Sequence, residues 1–173
     1  IAALRRTHAN VSMEVVQRTP VFGQMVAVLP THADQATMEL ALANTRARLR
    51  MTTLYYFAGL NSYLVAGTGN KVEDFGVGFF TKYGDGGVDL SPIADLMKTE
   101  VYAVARELGI VESIMQAKPT DGLWGDDRSD EDQIGASYPE LEWAMALREQ
   151  GVDPATLQLS ERELAVLSIF DKR

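Results

Sequence analysis

No cysteine occurs among the 173 residues, which rules out disulfides and thiolate metal sites. That fits a cytoplasmic setting. Histidine is nearly as scarce: His8 and His32 are too few for a histidine-rich metal centre. No apolar run reaches the ~18 residues that span a bilayer, so no membrane partner is expected. Positive charge is in deficit, with 16 lysines and arginines against 24 acidic residues and a net charge of −8. A chain this acidic is a poor general binder of nucleic-acid backbone, and none is expected as a partner. An anionic substrate would need a local basic pocket, and Arg46, Arg48 and Arg50 do lie close together. The hydrophobic fraction of 46% and charged fraction of 23% are those of a globular protein, and the length suits one domain, 1–173.

The run from Gln24 to Pro30 reads as a short buried strand closed by its proline. From Ala36 to Asn61 the chain is rich in alanine, leucine, methionine and arginine, with no proline and no glycine before Gly59, which predicts a long helix. Tyr63 to Gly67 reads as a second buried strand. Ser91-Pro92 has the chemistry of a helix start, and Ile93, Met97, Val101, Val104 and Leu108 follow at helical spacing until Gly109 stops them. A short helix is expected from Val111 to Gln116. Lys118 to Gly135 is rich in aspartate and is expected to be a mobile loop, its acidic run Asp126 to Asp132 a solvated one. Capping boxes at Ser137/Glu140 and Ser160/Glu163 announce two more helices.

A strand–helix–strand order implies a right-handed crossover onto a parallel sheet. A helix of about 26 residues is about 39 Å long, while a five-residue strand spans about 17 Å. The helix must overhang such a sheet, and a second subunit is the natural cover. Two strands are few for an α/β domain.

The most informative stretch runs from Gly67 to Asp89. A strand ending at Gly67 delivers Thr68 to the carboxyl edge of a sheet, where open α/β sheets bind ligands. The glycines that follow permit close backbone approach to a phosphate. Glu73 suits a divalent cation, with Asp74 beside it as an alternative, and Lys82 suits a phosphate. On physics alone the stretch is either a phosphate site or an ordinary turn region. Each residue also has a plainer role: Arg48 as a solvated helix charge, Lys98 as cover for its helix face, Asp89 as a turn former, Thr68 as a turn cap.

The string Phe80-Thr-Lys-Tyr-Gly-Asp-Gly-Gly87 resembles the NAD synthetases. So does the whole run from Asn44 to Pro92, continuing through Lys98 and Lys118 to Trp124, and the likeness covers about 100 residues up to Glu142. The resemblance implies a doubly wound α/β fold with a parallel sheet, Rossmann-like and similar to the adenine-nucleotide α-hydrolases, with the long helix forming a homodimer. It implies an enzyme, an ATP-dependent amide-forming ligase that makes NAD from deamido-NAD, ATP and ammonia. It assigns Thr68, Lys98 and Thr120 to ATP, and Arg48, Lys82 and Asp89 to deamido-NAD at the dimer contact. Glu73 is assigned to Mg²⁺. One residue is extra relative to the family between Glu73 and Gly78.

The chemistry so implied has two steps. ATP adenylates the nicotinate carboxylate with release of pyrophosphate, and ammonia then displaces AMP. The protein positions groups and neutralises charge, and no side-chain nucleophile is needed. Free ammonia is the expected nitrogen source, since no glutaminase domain is visible.

Asp85 to Ser91 superficially resembles the superfamily's pyrophosphate loop. It follows no buried strand and lacks the leading serine, so it is set aside. The family's own pyrophosphate loop, expected before the strand ending at Pro30, and a C-terminal histidine-lysine pair have no counterpart, and only Thr31 to Gln35 stand where the family has roughly fifty residues between that strand and the long helix. The expectation is therefore a family domain with segments missing. Two other readings stay open: a different amidating ligase of the ATP-pyrophosphatase type, and a non-catalytic nucleotide-binding or dimerising remnant.

Overall fold

The computed structural model describes residues 2–126 and 128–172, and every regular element among them is helical. Asp127, within the acidic run, lies outside the described residues. In chain order the helices are α1 (Ala2–Thr7), α2 (Thr19–Val28), α3 (Gln35–Asn61), α4 (Lys98–Glu107), α5 (Glu112–Met115), α6 (Asp130–Ile134), α7 (Tyr138–Glu149) and α8 (Glu161–Asp171). A π-helical turn, Val72–Val77, lies between α3 and α4.

The long helix forms as expected. Asp34 caps its start by accepting the Thr37 N–H at 3.1 Å, and Ser62 ends it in the left-handed region at φ 56°. Only Ala43, Ala47 and Ala58 on it are buried.

The strand expected at Gln24 to Pro30 is corrected: most of it belongs to α2. Pro20 stands where a helix tolerates proline best, and Pro30 follows its end. Short apolar runs carry no period that separates helix from strand, and here the flanking prolines decide. No α2 residue is buried; Phe22 packs its ring under the Arg46 guanidinium at 4.3 Å.

The second strand is corrected too. Residues 63–67 are extended but make only one parallel bridge, Ala66 to Leu90. Gly67 N–H donates to Leu90 O at 2.8 Å and Asp89 N–H to Val65 O at 3.0 Å. Tyr63 and Leu64 are exposed, and only Val65 is buried. Among the described residues this bridge is all that appears of the expected sheet.

The helix expected from Ser91 begins at Lys98 instead, after two turns over 91–96. Its first free N–H groups are taken elsewhere: Met97 N–H by Glu100 at 2.7 Å, and Thr99 N–H by Glu142 at 2.9 Å. Gly109 does follow its end in the left-handed region, at φ 65°.

The main core is made by the two capped C-terminal helices. Both capping boxes form, with Ser137 N–H to Glu140 at 2.8 Å and Ser160 N–H to Glu163 at 2.7 Å. Leu141 and Val166, with Val72 and Val77 of the π-helical turn, are the centre of the packing. A second, smaller cluster joins Ala43 and Ala47 of α3 to Leu123. Among the described residues no helix is long and apolar enough to cross a membrane.

Candidate functional site

Between these two clusters lies a cleft of about 640 Å³. Thr68, Glu73, Lys98 and Thr120, drawn from four separate segments, all line it. Arg48, Lys82 and Asp89 do not line it. They lie along α3: Arg48 Nε donates to Lys82 O at 3.2 Å, and Asp89 accepts the Tyr55 hydroxyl at 2.9 Å and the Val65 N–H at 2.7 Å. Asp89 thus holds the extended segment that ends at Thr68. Lys82 places its ammonium 5.1 Å from the Tyr83 ring centre.

Glu73 and Lys98 are an ion pair, Nζ to Oε1 at 3.1 Å, with side chains 13% and 19% exposed. The same Oε1 accepts the hydroxyl of Tyr138. The Tyr138 ring also sits 4.7 Å from the Lys98 ammonium, within cation–π range. Burial and the neighbouring Glu73 push the Tyr138 hydroxyl well above its ordinary ionisation range, so it stays a donor. Sequence reasoning missed Tyr138. Its only signal was its place beside the Ser137 cap, on an element that had no assigned role.

Asp74, the alternative to Glu73, does not line the cleft. Its carboxylate lies over Gly69, where a Cβ would sit 2.2 Å from Oδ2 and would push that carboxylate aside. Burial, with Glu73 and Asp85 nearby, raises its pKa.

The segment 118–135, expected to be mobile, is tied down. Arg46 donates to Leu123 O at 2.8 Å, and Arg50 donates to Asp121 O and Gly122 O, each at 2.6 Å. Those bonds use carbonyls that a loop would otherwise leave to water. Its distal part folds into α6, where Ser129 and Asp130 are buried. Asp130 lines the cleft, and its Oδ1 is buried without a hydrogen-bond partner among the described residues. Burial first, then Asp121 and Glu73, raise its carboxyl to about 6.

Among the described residues, no three carboxylate or histidine side chains converge as a metal cage. Magnesium does not require one, since it commonly uses one or two carboxylates together with water and substrate phosphates. Glu73 suits that role. Its Oε2 accepts only a long 3.4 Å bond from Asn70 N–H and is the less committed oxygen. The cleft therefore offers a carboxylate, a mostly buried ammonium, two threonines and a glycine approach, a set that can hold a polyphosphate with its cation.

Known proteins similar to the chain belong to one family. The family model for NAD synthase matches residues 7–168. The NH(3)-dependent NAD(+) synthetase of Carboxydothermus hydrogenoformans is 45% identical over 141 residues, covering 82% of this chain and 57% of that protein. Its counterpart in Archaeoglobus fulgidus is 50% identical over 113 residues, covering 65% and 45%. Among solved structures, the NMN synthetase of Francisella tularensis superposes with a TM-score of 0.78 at 27% identity, over 99% of this chain and 65% of that one. The chain spans about half the length of the curated relatives it matches.

Proposed function

The chain belongs to the NAD synthase family, and from that premise we propose that it carries most of the nucleotide cleft of a ligase making NAD from deamido-NAD, ATP and ammonia. The observation that carries this reading is the convergence of Thr68, Glu73, Lys98 and Thr120 on one cleft. In this reading Thr68, Thr120 and Lys98 bind ATP. Lys98 is mostly buried, so its charge acts on a phosphate with little screening by water. Glu73 would hold Mg²⁺, which when bound neutralises phosphate charge.

The first step activates a poor electrophile: the nicotinate carboxylate attacks the α-phosphorus of ATP and pyrophosphate leaves. In the second, ammonia attacks the acyl carbon, a proton is lost and AMP departs. The chain's own contribution is orientation and charge neutralisation. Arg48, Lys82 and Asp89 belong to deamido-NAD on the α3 side. The exposure of Tyr56 and Leu60, one turn apart on α3, supports that helix as a homodimer contact. The parallel Ala66–Leu90 bridge is compatible with the edge of a doubly wound sheet. A cytoplasmic setting goes with this chemistry.

The test is NAD formation by the full-length protein from deamido-NAD, MgATP and ammonia. Amide product with stoichiometric AMP and pyrophosphate supports the reading, and no ATP-dependent product overturns it. The similarity to an NMN synthetase supports a second reading, amidation of the mononucleotide counterpart, and the same assay run with that substrate separates the two.

A further inference from the structure

We propose that Tyr138 is a positioning residue that keeps Lys98 available to phosphate by sharing the Glu73 carboxylate with it. The proposal deepens the reading of the cleft as an ATP site and rests on it. Glu73 stands on the π-helical turn, Lys98 opens α4 and Tyr138 opens α7, so three elements distant in sequence meet at one oxygen. A buried ammonium facing a carboxylate alone would be held tightly, because little water competes for it. The Tyr138 hydroxyl takes part of the Oε1 acceptor capacity and so weakens that hold. Its ring meanwhile stabilises the ammonium from a second direction, at 4.7 Å.

Tyr138 is itself fixed. It is 4% exposed within the main core, and its N–H donates to Glu131 Oε1 at 2.9 Å. When a phosphate takes Lys98, the hydroxyl remains on Glu73 and keeps the carboxylate in place. The C-terminal helices thereby set the geometry of a site to which they otherwise contribute little.

The discriminating variant is Tyr138→Phe, which keeps the ring and its packing and removes one hydrogen bond to a charged group. In the full-length protein without ligand, Lys98 is expected to be acylated several-fold more slowly by acetic anhydride, read by peptide mass spectrometry. MgATP affinity by calorimetry should weaken roughly tenfold, the scale of one such bond. In a Glu73→Gln background, Tyr138→Phe should change neither quantity. Unchanged Lys98 labelling in the single variant overturns the proposal, and so does an equal loss in both backgrounds, which marks a purely structural role. Wild-type protein that binds no MgATP while Lys98 labelling responds as expected would overturn the ATP reading and leave Tyr138's hold on the pair standing.

Discussion

Glu73 and Tyr138 stand on elements that share the main core with Leu141 and Val166, and Lys98 is bonded directly to Glu73. Across the cleft, Arg48 stands on a helix whose buried positions are three alanines, with Lys82 and Asp89 bonded along it. One wall is held by apolar burial, and the other by side chains reaching to backbone carbonyls and to one tyrosine. Apolar burial fixes positions without water competing, whereas exposed polar contacts are continually exchanged with solvent. The wall that carries Glu73 and Lys98 is therefore the preorganised side, and the α3 side is the adjustable one.

The most severe test of that contrast is Leu141→Ala. Leu141 is fully buried, and its truncation should cost about 2–5 kcal/mol in denaturant unfolding. A cost near that of an exposed site would erase the distinction between the walls. Next is Lys98→Ala, expected to lower kcat/KM for ATP about 100-fold. Arg48→Ala should instead act on deamido-NAD, and identical profiles for the two would merge the walls into one site.

Asp130→Asn probes α6 between the walls. The folded carboxyl titrates near 6, above its ordinary 3.8. The fold thus favours the protonated form, and ionised Asp130 costs stability once the pH rises through about 6. The amide should raise stability by about 1–2 kcal/mol at pH 7.5 and make little difference at pH 4. A melting-temperature series against pH checks the sign. Smallest is Arg50→Ala, which removes the two bonds to Asp121 and Gly122 carbonyls. It should speed amide hydrogen exchange over 120–126 by about fivefold, on the order of 1 kcal/mol of local opening, and leave the α7–α8 core unchanged.

What the sequence disclosed follows the same division. Caps are local, and Ser137/Glu140, Ser160/Glu163 and the span of α3 were all legible. Thr68, Glu73, Lys98 and Thr120 were named together on the family resemblance, and they do share a cleft. Tyr138 was not, because its role depends on α7 reaching residues 40 and 65 positions earlier. The strand expected over 24–30 failed because a short apolar run has no period of its own. Pro20 in the first turn and Pro30 past the end are the marks of α2. The mobile loop failed because its restraint comes from Arg46 and Arg50, far away in the chain.

The turn at Val72–Val77 has a consequence for how this site can vary. A π-helical turn takes up one residue more than an α-helical turn over nearly the same rise. The extra residue expected between Glu73 and Gly78 falls within this turn, which Gly78 closes at φ 64°. An added residue can be spent there as a local swelling, and Phe79 N–H returns to Glu73 O at 2.8 Å. Length change is thereby confined to the outside of one coil, and the acid at its start keeps its aim.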